Sequence, residues 1–174
     1  RDDRMEMLRR WVERGGTLVA EGCLGYFNDH AHAFPTQPNR GFEDVFGAAE
    51  KNVSFAPDRW GDLPVVFGGS RTTGALYRQS FVPAAGNARG HYENGETAVV
   101  ENTYGKGRAG IIGTMPGFAY RSASDAANRE WFVSSLAFAE KQPMLTVDTE
   151  GIVARLCRNG ERWYLWVLNT HTES

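Results

Sequence analysis

The pattern of apolar and charged residues near the start of the chain predicts a helix that leads into a buried strand. Apolar side chains recur at helical spacing over residues 3–14 and charged side chains take the opposite face, which predicts an amphipathic helix. Gly15 and Gly16 form a stop signal for it. The short apolar run Thr17–Ala20 fits a parallel strand that is covered on both faces. A helix followed closely by such a strand is half of a βαβ unit and indicates an α/β fold.

The middle of the chain predicts a loop, a short helix and several strands. Residues 28–40 are rich in His, Pro and Asn and predict an irregular surface loop, after which a short helix over Phe42–Phe46 should end at Gly47. Between Asn52 and about Glu96, β-prone pieces alternate with Gly, Pro and Asp, which predicts strands and hairpins inserted in the α/β framework. These pieces are Val53–Phe55, Val65–Phe67 and Ala75–Val82.

A hairpin and a second long helix are predicted next. The runs Thr97–Asn102 and Ala109–Thr114 flank a tight turn that carries two glycines, which predicts a β-hairpin. A helix should follow over residues 124–140 and pack against the sheet through an apolar face, which comprises Trp131, Phe132, Leu136 and Ala139. Trp11, on the first helix, is likewise expected in the core.

Beyond Pro143 the pattern becomes all-β. Two alternating runs flank Asn159-Gly160, which is the strongest short-range hairpin signal in the chain. We therefore predict a domain boundary near residues 141–149. One hairpin cannot bury its own apolar face, so further strands must pack on it.

Composition excludes several functions. A chain of 174 residues with a net charge of −2 and no basic block does not suggest nucleic acid or an anionic membrane as a partner. There is no apolar run of transmembrane length and no signal peptide. The chain begins without methionine and enters a helix at once, so we expect it to be a piece of a longer protein. Cys23 and Cys157 lie far apart in sequence and predict ordinary buried thiols.

Four stretches resemble one known group of proteins. They are Leu8–Ala20, Glu21–Phe27, Asn102–Arg108 and Ile112–Gly117. In this order and spacing they resemble the trimerisation domain of bacterial β-galactosidases of glycoside hydrolase family 42 and their relatives, over roughly residues 3–140.

The resemblance implies a flavodoxin-like fold of the class I glutamine-amidotransferase type, here without its first strands. It divides the chain into the C-terminal portion of a trimerisation domain, residues 1–142, and the beginning of a C-terminal β-sandwich domain, residues 143–174. It also implies a homotrimer whose carbohydrate substrate binds an upstream catalytic barrel. The two catalytic glutamates of the family belong to that barrel, so none is assigned to this sequence.

Cys23 is the one candidate nucleophile, because it occupies a G-x-C-x-G turn directly after a strand. A working thiol site also needs a histidine held by a carboxylate. Amidotransferases resemble one another in an F-H-P-E pattern at the end of the last sheet strand, whereas the comparable stretch Gly113–Gly117 has neither imidazole nor carboxylate. We therefore expect Cys23 to be a structural thiol and assign no catalytic residue.

The remaining polar motifs favour structural roles. His30 and His32 lie beside Asp29 but lack a third ligand motif, so we expect solvated side chains and no metal. Glu21 and Glu101 follow or end predicted strands and could be an acid and base pair, but we expect them to bond loop backbone.

Two glycine-rich stretches and one tryptophan complete the candidates. Gly68-Gly69-Ser70 and Gly105-Lys106-Gly107 lack the full phosphate-binding spacing, so we expect turns and no cofactor. Trp60, in the irregular middle region, is the tryptophan that we expect at an interface or a sugar contact.

We interpret the chain as a non-catalytic assembly domain of a glycoside hydrolase acting on β-galactosides. A carbohydrate-binding accessory module of another sugar-processing enzyme and an amidotransferase-like thiol hydrolase using Cys23 stay open as alternatives.

Overall fold

The computed structural model describes residues 2–28, 30–57, 63–123, 126–142 and 144–170. The chain divides into two compact units, Arg1–Ser135 and Leu136–Ser174. The first unit is a mixed, sheet-dominated α/β domain, and the second contains a two-stranded sheet.

Strands outnumber helices among the described residues. In chain order the elements are α1 (Asp2–Glu13), β1 (Thr17–Ala20), α2 (Phe42–Phe46), β2 (Ala48–Ala56), β3 (Leu63–Phe67), β4 (Ser70–Gly74), β5 (Leu76–Pro83), β6 (Asn87–Tyr92), β7 (Thr97–Tyr104), β8 (Gly107–Ile112), α3 (Pro116–Ala123), α4 (Ala126–Phe138), β9 (Ile152–Asn159) and β10 (Arg162–Asn169).

Eight strands form the main sheet of the first unit. Its order is β1-β8-β7-β6-β3-β4, and β5 joins it through β7 and carries β2 on its other edge. β1 and β8 are parallel, which confirms the parallel strand predicted for Thr17–Ala20. The other pairs are antiparallel, and the β7–β8 hairpin lies where the sequence predicts it.

The sheet has an apolar core on each face, which explains why its central strands are apolar at consecutive positions. Val100 and Ile111 pack in one cluster with side chains of α1 and α2. Their neighbours Val99 and Ile112 point the other way and pack with Trp131 of α4. Adjacent residues of a strand face opposite sides, so strands buried on both faces lose the alternation of half-exposed ones.

The edge strand β1 is covered less completely than the sequence predicts. Leu18 and Ala20 belong to the cluster with α1 and α2, but Val19 on the other side is 36% exposed. The expectation that both faces are covered is therefore wrong for this strand within the described residues.

Other differences concern the long helices. The sequence predicts one helix over residues 124–140 after β8. The structure has two, because a separate helix, α3, precedes α4 and begins at Pro116. Trp131 is buried as predicted, whereas Phe132 and Leu136 are exposed. Trp11, which the sequence predicts in the core, is also exposed, at 49%, and its ring lies against Gly16, just beyond the end of α1.

The loop after β1 is partly buried. Gln37 and Asn39 are almost inaccessible to solvent, which differs from the predicted surface loop. The Gln37 amide donates hydrogen bonds to the carbonyl oxygens of Tyr26 and Phe34, and this internal bonding allows a polar loop to pack into the domain. The short helix α2 ends at Gly47, as predicted, in a left-handed conformation.

In the second unit, β9 and β10 form the predicted antiparallel hairpin, with the turn one residue later than expected. Asn159 pairs with Arg162, so Gly160 and Glu161 are the two loop residues. Gly160 has a positive φ and Glu161 does not, which is the pattern of a type II′ turn. Every residue of β10 is exposed, including Trp163 and Trp166. Among the described residues, none of the helices has the length and apolar character that a membrane span needs.

Helix α4 is attached to the edge strand β4 through one buried amide. The Asn128 side-chain oxygen accepts hydrogen bonds from the Thr72 hydroxyl (2.9 Å), the Thr73 backbone N–H (2.8 Å) and the Thr73 hydroxyl (3.0 Å). Asn128 and Thr72 are buried and Thr73 is half-buried, so these donors have little access to water as an alternative partner.

Replacing this amide should therefore destabilise the first unit. We expect Asn128→Ala to lower the free energy of unfolding by about 2–3 kcal/mol, because it leaves buried donors without an acceptor. Arg129→Ala, one residue further along the helix and exposed, is the control and should change it by less than about 0.5 kcal/mol. Urea unfolding measures both, and equal effects would contradict this role for Asn128.

Candidate functional site

The turn after β1 has the geometry of a strained elbow. Cys23 has φ of 64°, a left-handed conformation that residues other than glycine rarely adopt. The preceding Gly22 donates its N–H to the carbonyl oxygen of Thr114 at 3.0 Å, which fixes the turn to the end of β8. The structure thus places Cys23 on a tight turn directly after a strand, as the sequence indicates.

A glutamine bridges this turn to a carboxylate. The Cys23 backbone N–H donates to Gln79 Oε1 at 3.0 Å, and Gln79 Nε2 donates to Glu50 Oε2 at 2.6 Å. The Tyr26 hydroxyl donates to the other oxygen of Glu50 at 3.3 Å. In a thiol triad the group between the cysteine and the carboxylate is an imidazole that accepts the thiol proton. An amide has no such basic nitrogen and here bonds the backbone, so it can only hold the turn.

Burial keeps the thiol protonated. It raises the pKa of Cys23 to about 12, and the nearby negative charge of Glu50 acts in the same direction. The pKa of Tyr26 is raised to about 12 by burial first and by Glu50 second. The nucleophilic form of cysteine is the thiolate, and this environment suppresses it at neutral pH.

Next to the turn, hydrogen bonds join three chain segments at one point, which we call the crossing: β5, β6 and the residues just after β8. The Gly113 carbonyl oxygen, just after β8, accepts hydrogen bonds from the Gln79 backbone N–H (2.7 Å) and the Tyr92 hydroxyl (2.8 Å). Tyr92 also donates to the carbonyl oxygen of Gln79 at 3.1 Å. Gln79 is therefore fixed by its backbone as well as by its side chain, and its amide is presented to the cysteine turn.

Glu21 and Glu101 have separate partners. Glu21 accepts the backbone N–H of Gly117 at 2.9 Å in the first turn of α3, as expected for a carboxylate that bonds loop or helix backbone. Burial raises the pKa of Glu21, although this hydrogen bond opposes the shift. Glu101 lies within β7 rather than at its end, and it pairs with Arg89 at 2.7 Å instead of with backbone.

The remaining candidates lie on loops and turns. His30 and His32 are exposed, with ring centroids 6.4 Å apart, and Asp29 lies outside the described residues. Within the part of the chain that the structure describes, no group of three His, Cys, Asp or Glu side chains is arranged to hold a metal ion. Gly68-Gly69 and Gly105-Lys106 form the turns between β3 and β4 and between β7 and β8. Trp60 lies outside the described residues.

Sequence reasoning missed Gln79, Glu50 and Tyr92. They lie in β5, β2 and β6, and no motif connects them to the cysteine turn in the sequence. Alternation does not single out Gln79 either, because Gln79, Ser80 and Phe81 are buried in succession.

Comparison with known proteins gives a consistent match. A family model described as the β-galactosidase trimerisation domain matches residues 1–143. No curated protein matches the sequence.

Solved structures share the fold at low sequence identity. Gan42B, a glycoside hydrolase family 42 β-galactosidase from G. stearothermophilus, is 22% identical with a TM-score of 0.78, over 97% of this chain and 24% of that one. A β-galactosidase from Bacillus circulans sp. alkalophilus is 15% identical with a TM-score of 0.76, over 94% and 24%. An exo-β-1,4-mannosidase from Opitutaceae bacterium strain TAV5 is 16% identical with a TM-score of 0.53, over 84% and 24%. The chain thus spans about a quarter of the length of these enzymes.

The state of the Cys23 thiol can be tested by alkylation. With a pKa of about 12, the thiolate fraction at pH 8 is about three orders of magnitude below that of an ordinary thiol. The prediction of a buried thiol is wrong for Cys157, which is exposed. We therefore expect iodoacetamide to modify Cys23 correspondingly slowly in a Cys157→Ser variant, and Cys157 to react faster in a Cys23→Ser variant. Mass spectrometry follows both rates. Equal rates would contradict a protonated thiol.

Glu21 should make stability depend on pH. Its pKa is raised in the folded state, so the folded state binds the proton more tightly and stability is lost as pH rises from about 4.5 through the folded pKa. Glu21→Gln keeps an acceptor for the Gly117 N–H but cannot ionise. We expect the unfolding free energy of the variant, relative to the wild type, to increase between pH 4.5 and pH 7. A difference that stays constant with pH, or one equally shown by the exposed Glu13→Gln control, would exclude Glu21 as the cause.

Proposed function

Since the chain belongs to the family of β-galactosidase trimerisation domains, we propose that its first unit holds copies of a parent glycoside hydrolase together and performs no chemistry itself. The observation that carries this proposal is the family match over residues 1–143. In this proposal the product of association is a homotrimer, and the partner of each chain is another copy of itself.

The environment of the cysteine turn supports a non-catalytic role. The elbow is retained in shape, but the pKa of its thiol is about 12 and the adjoining side chain is a neutral amide. A thiol hydrolase using Cys23 would need a base that withdraws the thiol proton, and Gln79 cannot provide it. We therefore assign no catalytic residue and no cofactor to this chain.

The activity of the parent enzyme is proposed from the solved structures that share this fold. The chain corresponds to about a quarter of two β-galactosidases of similar structure, so the reaction belongs to the remaining part of such enzymes. We propose that the parent hydrolyses β-galactosides at a carbohydrate site upstream of this domain.

We also propose a finer description of the fold and the domains. The parallel pair β1–β8, entered from α1, supports a flavodoxin-like, amidotransferase-like framework in which further parallel strands pair with β1. We place residues 1–142 in this domain and residues 143–174 in the beginning of a β-sandwich. The apolar side chains exposed on β10 support further strands packing there. Trp60 is retained as a proposed interface residue.

The oligomeric state of the parent enzyme tests the assembly role. We expect sedimentation equilibrium to give three copies for the intact parent and a smaller assembly when residues 1–142 are deleted, with circular dichroism checking that the remainder is folded. Cys23→Ser is the matched control and should alter neither assembly nor hydrolysis of a β-galactoside. An unchanged oligomer after the deletion would contradict assembly as the role, and loss of hydrolysis in Cys23→Ser would favour the thiol enzyme.

A further inference from the structure

The ribbon formed by β2 and β5 has two different faces. Val53 lies opposite Gln79 and Phe55 opposite Tyr77, so these side chains share the face on which Gln79 meets the cysteine turn. The Phe55 and Tyr77 rings are in contact, with centroids 5.0 Å apart. Phe55 is 60% exposed and Val53 is 37% exposed, although both lie on a sheet.

A further exposed ring follows the cysteine turn. Phe27 is 56% exposed and its ring lies 5.2 Å from that of Tyr26, whose hydroxyl bonds Glu50 on the ribbon. We define the ribbon face by its four apolar members, Phe27, Val53, Phe55 and Tyr77. They are held on a turn and two paired strands, which gives them a fixed arrangement.

The opposite side of the ribbon carries the charges. Glu96 pairs with Lys51 at 3.3 Å and with Arg78 at 3.4 Å, and it accepts a hydrogen bond from Asn52. The hydrogen bonds from Asn94 and Lys51, in that order, lower the pKa of Glu96 to about 2. Lys51 and Arg78 of the ribbon therefore pair with Glu96 away from the ribbon face.

The carboxylate beside the ribbon face is also satisfied. Both Glu50 oxygens accept hydrogen bonds, one from Gln79 and the other from Tyr26. The groups that define the ribbon face are aromatic and aliphatic, and the carboxylate beside them keeps two internal hydrogen bonds when that face is covered. Aromatic enrichment and depletion of charge distinguish the centre of a protein interface from other surface.

We propose that the ribbon face is a surface through which the first unit contacts a second copy of this chain, an inference that rests on the proposed assembly function. Three partly exposed rings and a valine offer on the order of 300–400 Å², about half of the ~800 Å² that each partner contributes to a standard interface. The ribbon face is therefore the centre of the contact, with polar surface around it. A closed trimer repeats one heterologous contact, so this face meets a different surface of the neighbour.

A pair of matched double variants tests the proposal in the parent enzyme. Val53→Ser with Phe55→Ser removes exposed apolar groups from the ribbon face. Val66→Ser with Val82→Ser removes groups of similar exposure, 51% and 53%, from elsewhere on the same sheet. Val82 lies on β5 but opposite Ala49, on the other side of the ribbon. Thermal unfolding by circular dichroism checks that both variants are folded, and sedimentation equilibrium measures their association.

The outcomes separate the two proposals. We expect the ribbon variant to weaken association by more than about tenfold and the control to leave it within about twofold. If the folded ribbon variant associates as strongly as the wild type, the proposal for the ribbon face is overturned and the assembly function is not. A monomeric wild type would overturn the assembly function and this inference with it. Saturable galactose binding that the ribbon variant loses, with assembly intact, would make the occupant a sugar and also overturn the proposal.

Discussion

The close contact at the end of β8 is the constraint on which the rest of the first unit depends. A side chain at Gly113 would overlap the carbonyl oxygen of Gln79, so the two backbones can approach only because this residue is glycine. The Gly113 carbonyl oxygen then ties β5 and the Tyr92 hydroxyl to one point, and the neighbouring Thr114 holds Gly22. The elbow, the ribbon and the core around Tyr92 are all positioned from this crossing.

This crossing also explains why an enzyme-like turn has no enzyme-like chemistry. The strand next to Cys23 carries Gln79. Its amide accepts the backbone N–H of the turn and donates a hydrogen bond to the Glu50 carboxylate. Cys23 is partly buried at this turn and Glu50 brings a negative charge near it, and both effects keep the proton on the thiol. Shape is preserved by interactions that oppose nucleophilicity.

The sequence predicts those parts of the fold that depend on local patterns. α1, the β7–β8 hairpin and the turn that carries Cys23 are encoded within short windows of periodicity and glycine. Helix α3 is not encoded in such a window, because a backbone N–H in its first turn, that of Gly117, donates to Glu21, 96 positions earlier in the chain. Gln79 likewise reaches the cysteine turn through its backbone bond to Gly113, and Glu50 reaches Gln79 through the pairing of β2 with β5. Periodicity contains no information about which distant strands become neighbours.

The bond between Asn128 and β4 has a consequence for the behaviour of the protein at high concentration. β4 is an outer strand of the sheet, and outer strands with open amides can recruit strands of other molecules into fibrillar stacks. At Thr73 that amide is already occupied from within the chain. Addition of a strand from another molecule to β4 is therefore disfavoured at this position. Contacts between molecules are then made by side chains rather than by unpaired backbone groups.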